Sequence, residues 1–172
     1  MLKTNVCGVE LENPLMLAAG ILGSTASSLN RILNSGAAGV VSKSFSKEPN
    51  AGYKNPTTVG VDCGIINAIG LSNPGGDNFL EELKTVDVDN GQALIASIYG
   101  SMPDEFSYLV EKIQDHVDMI ELNISCPHAM EGCGAAIGQD PNLSHKIVSA
   151  ACDVSNVPII AKLTPNVTDI TE

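Results

Sequence analysis

Short apolar runs along this chain alternate with stretches that have helical periodicity. The apolar runs predict strands at residues 15–18, 39–41, 93–96, 119–122 and 157–161. Apolar side chains spaced three and four positions apart predict helices at residues 27–33, 77–83, 105–116 and 142–152. Residues 45–74 interrupt the alternation with turn signals and predict a longer insertion that contains a small hairpin. Strands that alternate with helices indicate βα units and a parallel sheet.

The residues at the ends of the predicted strands distinguish two folds that share this element order. Small or polar residues follow the strands at positions 19–20, 42–44, 97, 123–126 and 162. A (β/α)8 barrel gathers all its strand ends around one mouth, whereas a doubly wound sheet brings together only those near its switch point. The dinucleotide fingerprint G-x-G-x-x-G is absent from residues 18–23. The sequence therefore predicts an α/β fold, the (β/α)8 TIM barrel.

The length of the chain limits how much of that barrel it holds. A complete barrel needs roughly 250 residues, whereas this chain has 172 residues and about the first five βα units. We therefore expect residues 1–172 to form the N-terminal portion of a single TIM-barrel domain, with unpaired edges on the first and fifth strands. The alternative is a non-catalytic module that pairs with a complementary half-barrel.

Composition and charge exclude several classes of partner. The chain carries 9 basic and 20 acidic residues, a formal net charge of −11, which argues against nucleic acid and anionic membranes. No apolar run approaches the roughly 18 residues that a membrane span requires. An anionic small molecule is compatible with this charge if a few lysines converge on one pocket.

The cysteines are odd in number and widely scattered, at positions 7, 63, 126, 133 and 152. Their spacing fits neither a zinc nor an iron–sulfur site, so we expect no metal ligands in this chain. Scattered thiols indicate a reducing cytoplasm, and we prefer free thiols to a disulfide between Cys126 and Cys133. Cys126 is a candidate for chemistry because it lies just past an apolar strand, beside Asn123 and Ser125. The alternative at that position is a buried, inert cysteine.

Four sequence blocks, which span nearly the whole chain, together resemble the class 1 dihydroorotate dehydrogenases, and subclass 1B in particular. The blocks are SKS at residues 42–44, INAIGLSNPG at 66–75, LNISCP at 122–127 and KLTPNVTD at 162–169. The resemblance implies a barrel with FMN at its mouth that oxidises dihydroorotate to orotate in de novo pyrimidine biosynthesis. In that reaction a base removes the proton at C5, and the hydride at C6 passes to N5 of the flavin.

The resemblance also implies roles for individual residues. Cys126 stands in the position of the base, which requires a thiol pKa near the working pH. Lys43 corresponds to a contact of both the flavin and the substrate carboxylate, and Lys162 to a cation near the flavin N1–O2 edge. The implied FMN contacts are Ala19, Gly20, Lys43, Ser44, Ser97, Asn123 and Lys162. The implied substrate contacts are Lys43, Asn67, Ala68, Ile69, Gly70, Leu71, Asn123 and His128.

One position departs from the family pattern and leaves an alternative substrate open. His128 stands where many members have a second asparagine, and the sequence SCPH also resembles the dihydropyrimidine dehydrogenases, which reduce uracil and thymine. Residues 66–75 and the cation of Lys43 favour dihydroorotate over dihydrouracil.

Subclass 1B further implies a partner subunit. Members of that subclass pass electrons through a subunit with FAD and a 2Fe-2S cluster to NAD, and the full-length protein is expected to be a homo-oligomer. The flavin phosphate site of the family lies beyond residue 172. We therefore expect this chain alone to bind FMN poorly and to be inactive.

Overall fold

The computed structural model describes residues 2–125 and 135–169 of the chain. These residues form nine strands: β1 (Thr4–Val6), β2 (Val9–Leu11), β3 (Met16–Leu17), β4 (Gly39–Val41), β5 (Thr58–Val61), β6 (Gly64–Asn67), β7 (Ala93–Ile98), β8 (Met119–Asn123) and β9 (Ile159–Lys162). They also form five α-helices: α1 (Ala26–Asn34), α2 (Gly76–Leu83), α3 (Pro103–Ile113), α4 (Ala135–Gly138) and α5 (Pro141–Val154). Two short 3-10 helices lie at Ile21–Gly23 and Gln114–His116.

Five of the strands form one parallel sheet in the order β3-β4-β7-β8-β9. The spatial order follows the chain order and never reverses. A doubly wound sheet reverses its order at the switch point, whereas a barrel adds its strands in one direction. Helices α1, α2, α3 and α5 lie between successive strands of the sheet, as parallel connections require. As the sequence predicts, β3 and β9 are the edges of this sheet.

The central strands β4, β7 and β8 are buried on both faces, which explains why they are continuous apolar runs. Leu94 and Ile98 of β7 pack in one apolar cluster with the helices. The alternate residues Ala93 and Ile95 point to the other face, because successive side chains of a strand alternate. There they pack in a second cluster with Leu11 of the β1–β2 hairpin. The helices therefore cover the outer face, and the second cluster fills the inner face of the incipient barrel.

All the predicted elements of the sheet are present, but three strands extend further than their apolar runs. β7 ends at Ile98, β8 at Asn123 and β9 at Lys162. Ser97, Asn123 and Lys162 therefore lie within strands rather than after them, which corrects the prediction. The reason is that parallel pairing continues past the apolar residues: Ser97 lies opposite Glu121, and Asn123 opposite Lys162. The β1–β2 hairpin was not predicted, since its strands of three residues are too short to show periodicity.

The insertion at residues 45–74 contains the predicted hairpin, formed by β5 and β6. All eight strand residues of this hairpin are exposed. The two ends of the insertion are paired, because the N–H groups of Asn50 and Asn73 each donate to the carbonyl of the other, at 3.0 and 2.9 Å. The two ends of the insertion therefore lie side by side, and α2 begins directly after them.

The longest helix in the described ranges is α5, with 14 residues, or about 21 Å at 1.5 Å per residue. It buries Ile147 and Ala151 in the cluster that covers the outer face of the sheet. The hydrocarbon core of a bilayer is about 30 Å thick. Among residues 2–125 and 135–169, no helix combines the length and apolar character needed to cross it.

Candidate active site

The inner face of the sheet changes from apolar to polar toward the carboxyl ends of its strands. Alternate residues of a strand share a face, and the first inward residues are apolar: Ala93 and Ile95 on β7, Met119 on β8 and Ile160 on β9. The last inward residues are polar: Ser97, Glu121, Asn123 and Lys162. The apolar interior therefore ends in a polar layer at the edge where a barrel builds its active site.

One carboxylate oxygen of Glu121 accepts two hydrogen bonds within this layer. Lys162 Nζ lies 2.6 Å from Glu121 Oε1, and Ser97 Oγ lies 2.8 Å from the same oxygen. The side chain of Glu121 is 10% exposed and that of Lys162 is 37% exposed. A carboxylate this buried requires partners, because burial of an unpaired charge is strongly unfavourable. The ion pair therefore holds the lysine ammonium against the buried layer while more than a third of the lysine side chain remains exposed.

A chain of hydroxyl groups links Glu121 to the amide of Asn123. Ser97 Oγ has one proton, which it donates to Glu121, so Ser44 Oγ is the donor in its 2.8 Å contact with Ser97 Oγ. Ser44 Oγ in turn accepts from Asn123 Nδ2 at 2.9 Å. Asn123 Oδ1 accepts from Ser125 Oγ at 3.1 Å. The donor direction along this chain, together with the Ser125 N–H that donates to Asn123 Oδ1 at 3.4 Å, sets which end of the Asn123 amide faces Ser44.

The loop after β3 is held against the end of β4 at Gly23. The Lys43 N–H donates to Gly23 O at 2.9 Å, and the Gly23 N–H donates to Gly20 O at 3.0 Å. A Cβ on Gly23 would lie 2.7 Å from both Lys43 N and Val41 O, so glycine alone permits this close approach. The half-buried Lys43 therefore leaves the sheet next to the loop that contains Ala19 and Gly20.

Tyr99 holds the loop that contains Gly70 and Leu71. Its hydroxyl accepts from Asn50 Nδ2 at 3.0 Å and from Asn73 Nδ2 at 2.9 Å, and it donates to Leu71 O at 3.1 Å. Gly70 has a φ of 76° and Leu71 a φ of 55°. A positive φ is uncommon for leucine, so this conformation depends on the surrounding contacts. Because Tyr99 directly follows β7, the loop is attached at the carboxyl end of the sheet.

The structure brings many, but not all, of the predicted site residues together. The residues that join in the network of Glu121 are Ser44, Ser97, Asn123 and Lys162. Lys43 is linked to the loop of Ala19 and Gly20 through Gly23, at the ends of β3 and β4. Gly70 and Leu71 are attached through Tyr99 and its asparagine partners.

The remaining predicted residues lie elsewhere. Asn67 is exposed at the end of β6, and within the described residues no hydrogen bond joins it to the network. Ala68 and Ile69 are half-buried and are held by their backbones, with Ala68 N–H donating to Thr57 O at 2.9 Å. Cys126, the predicted base, and His128 lie outside the described residues. Their roles stay predictions.

Two residues of this region were missed by the sequence reasoning. Glu121 is the one charged residue in the apolar run at 119–122. A carboxylate within a buried strand needs a partner, and that signal could have identified it. Tyr99 carries no comparable signal, because the sequence shows only a tyrosine after a strand. Its importance depends on Asn50 and Asn73, which come from the insertion.

Glu105 closes the turn between Tyr99 and α3. Its Oε2 accepts from Ser101 N at 2.7 Å, from Ser101 Oγ at 2.9 Å and from Met102 N at 3.2 Å. Partial burial raises the pKa of this carboxyl, but the hydrogen bonds together outweigh burial and hold the pKa below its ordinary value. Glu105 is therefore an ionised partner for the free N–H groups at the start of α3.

The donor set at the strand ends fits the flavin that the sequence resemblance implies. The pyrimidine edge of a flavin presents carbonyl oxygens and ring nitrogens, which pair with ammonium groups and amides. Lys162 supplies an ammonium group and Asn123 an amide, both at the carboxyl ends of neighbouring strands. A Cβ placed on Gly20 would have no atom within 4 Å, so the β3 loop leaves open space beside its backbone.

Comparison with known proteins finds relatives along the whole chain. The sequence profile described as Dihydroorotate dehydrogenase matches residues 1–172. The chain is 61% identical over 172 residues to the dihydroorotate dehydrogenase B (NAD(+)) catalytic subunit of Methanothermobacter thermautotrophicus. It is 51% identical over 175 residues to the protein of that name from Methanocaldococcus jannaschii. Both alignments cover 100% of this chain but 56% and 57% of the relatives, so the chain spans about half their length.

A solved structure shares the fold. DHODH from Eimeria tenella, in complex with ferulenol, aligns with a TM-score of 0.85 over 97% of this chain and 53% of that chain. The sequence identity of 19% means that this likeness shows the fold alone. The predicted α/β TIM-barrel fold is confirmed by this structural match and by the family profile.

Proposed function

This chain belongs to the dihydroorotate dehydrogenase family, and we propose that it forms the N-terminal portion of an FMN-binding TIM barrel that oxidises dihydroorotate to orotate in pyrimidine biosynthesis. Its similarity to B-type catalytic subunits confirms the predicted resemblance to subclass 1B. The observation that carries the proposal is the polar network of four implied site residues, Ser44, Ser97, Asn123 and Lys162. Since the chain spans about half of these relatives, the complete activity is proposed for the full-length protein.

The residues at the strand ends would hold the flavin and balance its charge. When bound, FMN supplies the acceptor at N5 for the hydride that leaves C6 of the substrate. Lys162 is a fixed cation whose accessible side would stabilise negative charge on the pyrimidine edge of the ring. Ser44 and Ser97 support the layer on which the ring would lie, and the small residues Ala19 and Gly20 leave room for it.

The substrate would be oriented by amides, a cation and backbone groups. Asn67 offers a donor and an acceptor, and Asn123 has a second amide N–H besides the one that it donates to Ser44, which suits the edge of a dihydropyrimidine ring. Lys43 would pair with the substrate carboxylate, and the loop at Gly70 and Leu71 would contribute backbone groups to the same pocket. Such positioning lowers the barrier because it brings the reacting atoms together before the chemical step.

Cys126 is proposed as the base. Its thiolate Sγ would take the proton from C5 while the hydride leaves C6, and a C5=C6 double bond would form to give orotate. The sequence places Cys126 three residues after Asn123, whose Oδ1 already accepts from the intervening Ser125. The base and the amide that orients the substrate would therefore belong to one short segment.

The proposed final electron acceptor is NAD, and this part of the proposal concerns the full-length protein. The names of the relatives contain both NAD(+) and catalytic subunit. They support a separate partner subunit, proposed to carry FAD and a 2Fe-2S cluster, that passes electrons to NAD. A homo-oligomeric catalytic chain in the cytoplasm completes the proposal, and the scattered cysteines support a reducing compartment.

The direct test is flavin reduction by substrate. Purified full-length protein loaded with FMN is mixed with dihydroorotate without oxygen, and the flavin absorbance is followed. We expect rapid bleaching with dihydroorotate and no response to dihydrouracil. Bleaching by dihydrouracil alone would replace the proposed substrate with a carboxylate-free dihydropyrimidine. An absence of bleaching with both would overturn the proposed function.

The base is tested by Cys126→Ala in the same assay. A general base typically contributes 10²–10⁴-fold, so we expect flavin reduction at neutral pH to slow by at least about 10²-fold. Cys152→Ala, which changes an exposed cysteine on α5, is the matched control and should reduce flavin at the wild-type rate. A Cys126→Ala protein that retains the wild-type rate would reject the base assignment.

A further inference from the structure

We propose that Glu121 is a positioning residue with two simultaneous tasks at the proposed flavin and substrate site. Through one oxygen it holds the Lys162 ammonium and partly neutralises it, and through the hydroxyls of Ser97 and Ser44 it adds to the contacts of Ser125 that orient the Asn123 amide. This inference rests on the proposed function, since it assigns Lys162 to the flavin and Asn123 to the substrate ring.

The first task follows from the geometry of the ion pair. Lys162 Nζ and Ser97 Oγ lie 2.6 and 2.8 Å from the same atom, Glu121 Oε1. Glu121 is almost buried, whereas 37% of the Lys162 side chain is exposed. The pair therefore anchors the ammonium group to a buried carboxylate, while the partly exposed lysine side chain stays within reach of a ligand. A negative charge at this distance also reduces the positive field that Lys162 projects into the site.

The second task follows from counting protons. An ionised carboxylate only accepts, and each serine hydroxyl has one proton to donate. Glu121 therefore forces the direction Ser44 to Ser97 to Glu121, and Ser44 is left to accept from Asn123 Nδ2. If the group at residue 121 donated instead, the chain could reverse and Ser44 would donate to the amide oxygen of Asn123.

Stability alone is a poor explanation for this carboxylate. Replacement of a buried ion pair by apolar residues of similar volume is often neutral or stabilising. The neighbouring inward positions of β7 and β8, Ile95 and Met119, are apolar and fully buried. The polar side chains of the inner face are concentrated where the strands end, which is where a barrel positions ligands.

Glu121→Gln tests both tasks, because glutamine has almost the same shape, no charge, and a donor as well as an acceptor. The full-length FMN-loaded protein is titrated with dithionite against a reference dye to measure the flavin midpoint potential. Loss of the negative charge should make the potential more positive, because the unneutralised Lys162 favours the negatively charged reduced ring. Orotate binding is measured from the flavin absorption change, and its dissociation constant should rise roughly tenfold through the lost amide orientation.

Ser97→Ala separates the two tasks. It interrupts the hydroxyl chain but leaves the Glu121–Lys162 pair in place. We expect weaker orotate binding with a midpoint potential close to that of the wild type. The matched control is Glu81→Gln, which removes the same charge from an exposed pair with Lys84, 2.8 Å apart. It should change neither quantity.

The outcomes separate the two tasks of Glu121 from each other and from the proposed function. An unchanged or more negative potential in Glu121→Gln overturns the first task, and wild-type orotate affinity in Ser97→Ala overturns the second. If Glu121→Gln does not retain FMN, Glu121→Asp replaces it, because its shorter carboxylate loosens both contacts. A Glu121→Asp protein identical to the wild type in both measurements overturns the inference. The dithionite titration does not use dihydroorotate, so failure of the proposed reaction leaves the potential arm intact.

Discussion

Tyr99→Phe isolates the contribution of one hydroxyl group to the proposed substrate loop. Tyr99 is 5% exposed, and phenylalanine retains its ring and its packing. The substitution removes three hydrogen bonds at once, two that the hydroxyl accepts from Asn50 and Asn73 and one that it donates to Leu71 O. The substitution therefore removes polar contacts alone, and these contacts attach the loop at Gly70 and Leu71.

The expected loss in free energy of unfolding depends on the hydrogen bonds that each partner of Tyr99 retains. Three bonds at about 1 kcal/mol each set a ceiling of roughly 3 kcal/mol. Asn50 Nδ2 keeps its bond to Gly70 O at 3.2 Å, and Asn73 Nδ2 keeps its bond to Leu71 O at 3.0 Å. Because none of the three partners of Tyr99 is left without a hydrogen bond, we expect a loss of about 1–2 kcal/mol in the free energy of unfolding.

The assay is urea unfolding of the full-length FMN-loaded protein, followed by circular dichroism. With a slope near 2 kcal/mol/M, the midpoint should fall by roughly 0.5–1 M urea. The matched control is Tyr108→Phe, since Tyr108 is 38% exposed and its hydroxyl accepts from Lys112 Nζ at 3.2 Å. Its stability should stay within about 0.5 kcal/mol of the wild type. Orotate should bind Tyr99→Phe several-fold more weakly, because part of the binding energy must now order the loop.

Two results would refute this reasoning. If Tyr99→Phe and Tyr108→Phe were equally stable, the Tyr99 hydroxyl would not be an anchor of the loop. If Tyr99→Phe lost more than about 4 kcal/mol, the effect would exceed the loss of the three bonds and would indicate damage to the packing at the end of β7.

Two further predictions concern other parts of the site. Gly23→Ala should destabilise the protein by about 1–3 kcal/mol and weaken FMN binding, because its Cβ would press on the backbone of Lys43. The control Gly60→Ala should be neutral, because no atom lies within 4 Å of its new Cβ. Equal unfolding midpoints for the two variants would contradict this prediction. The lowered pKa of Glu105 means that its contribution to stability is present above the ordinary carboxyl pKa and is lost as the pH falls through the lowered value. Glu105→Gln should therefore have a lower free energy of unfolding than the wild type at neutral pH, and this stability difference should shrink in acid. A stability difference that is the same at both pH values would show that the Ser101 contacts do not depend on the charge.

Much of the fold could be predicted from local patterns. The strand at Gly39–Val41 has the predicted bounds, and the other sheet strands and their helices lie within a few residues of theirs. Periodicity succeeds here because a helix or a doubly buried strand must place apolar residues at regular positions. It failed for Ser97, Asn123 and Lys162, which extend strands beyond their apolar runs because the neighbouring strand continues to offer backbone partners.

Only part of the membership of the candidate site was predictable from the sequence, since Glu121 and Tyr99 were missed. The sequence pointed to Ser44, Ser97, Asn123 and Lys162 because each follows an apolar run, and all but Ser97 also lie in the family-like blocks. The contacts among them were not predictable. Asn123 and Ser44 are 79 residues apart in the chain, and Lys162 and Glu121 are 41 apart.

By itself, the sequence determined the element order, the barrel class and the candidate roles of Ser44, Asn123 and Lys162, since these depend on local spacing and on short blocks of sequence. The tertiary structure decided which polar groups meet. Parallel pairing places Ser97 opposite Glu121 and Asn123 opposite Lys162, and burial then obliges each polar atom to find a partner among its neighbours. Glu121 and Tyr99 become central for that physical reason: their hydrogen-bond partners come from other strands and from the insertion, which no local pattern in the chain connects.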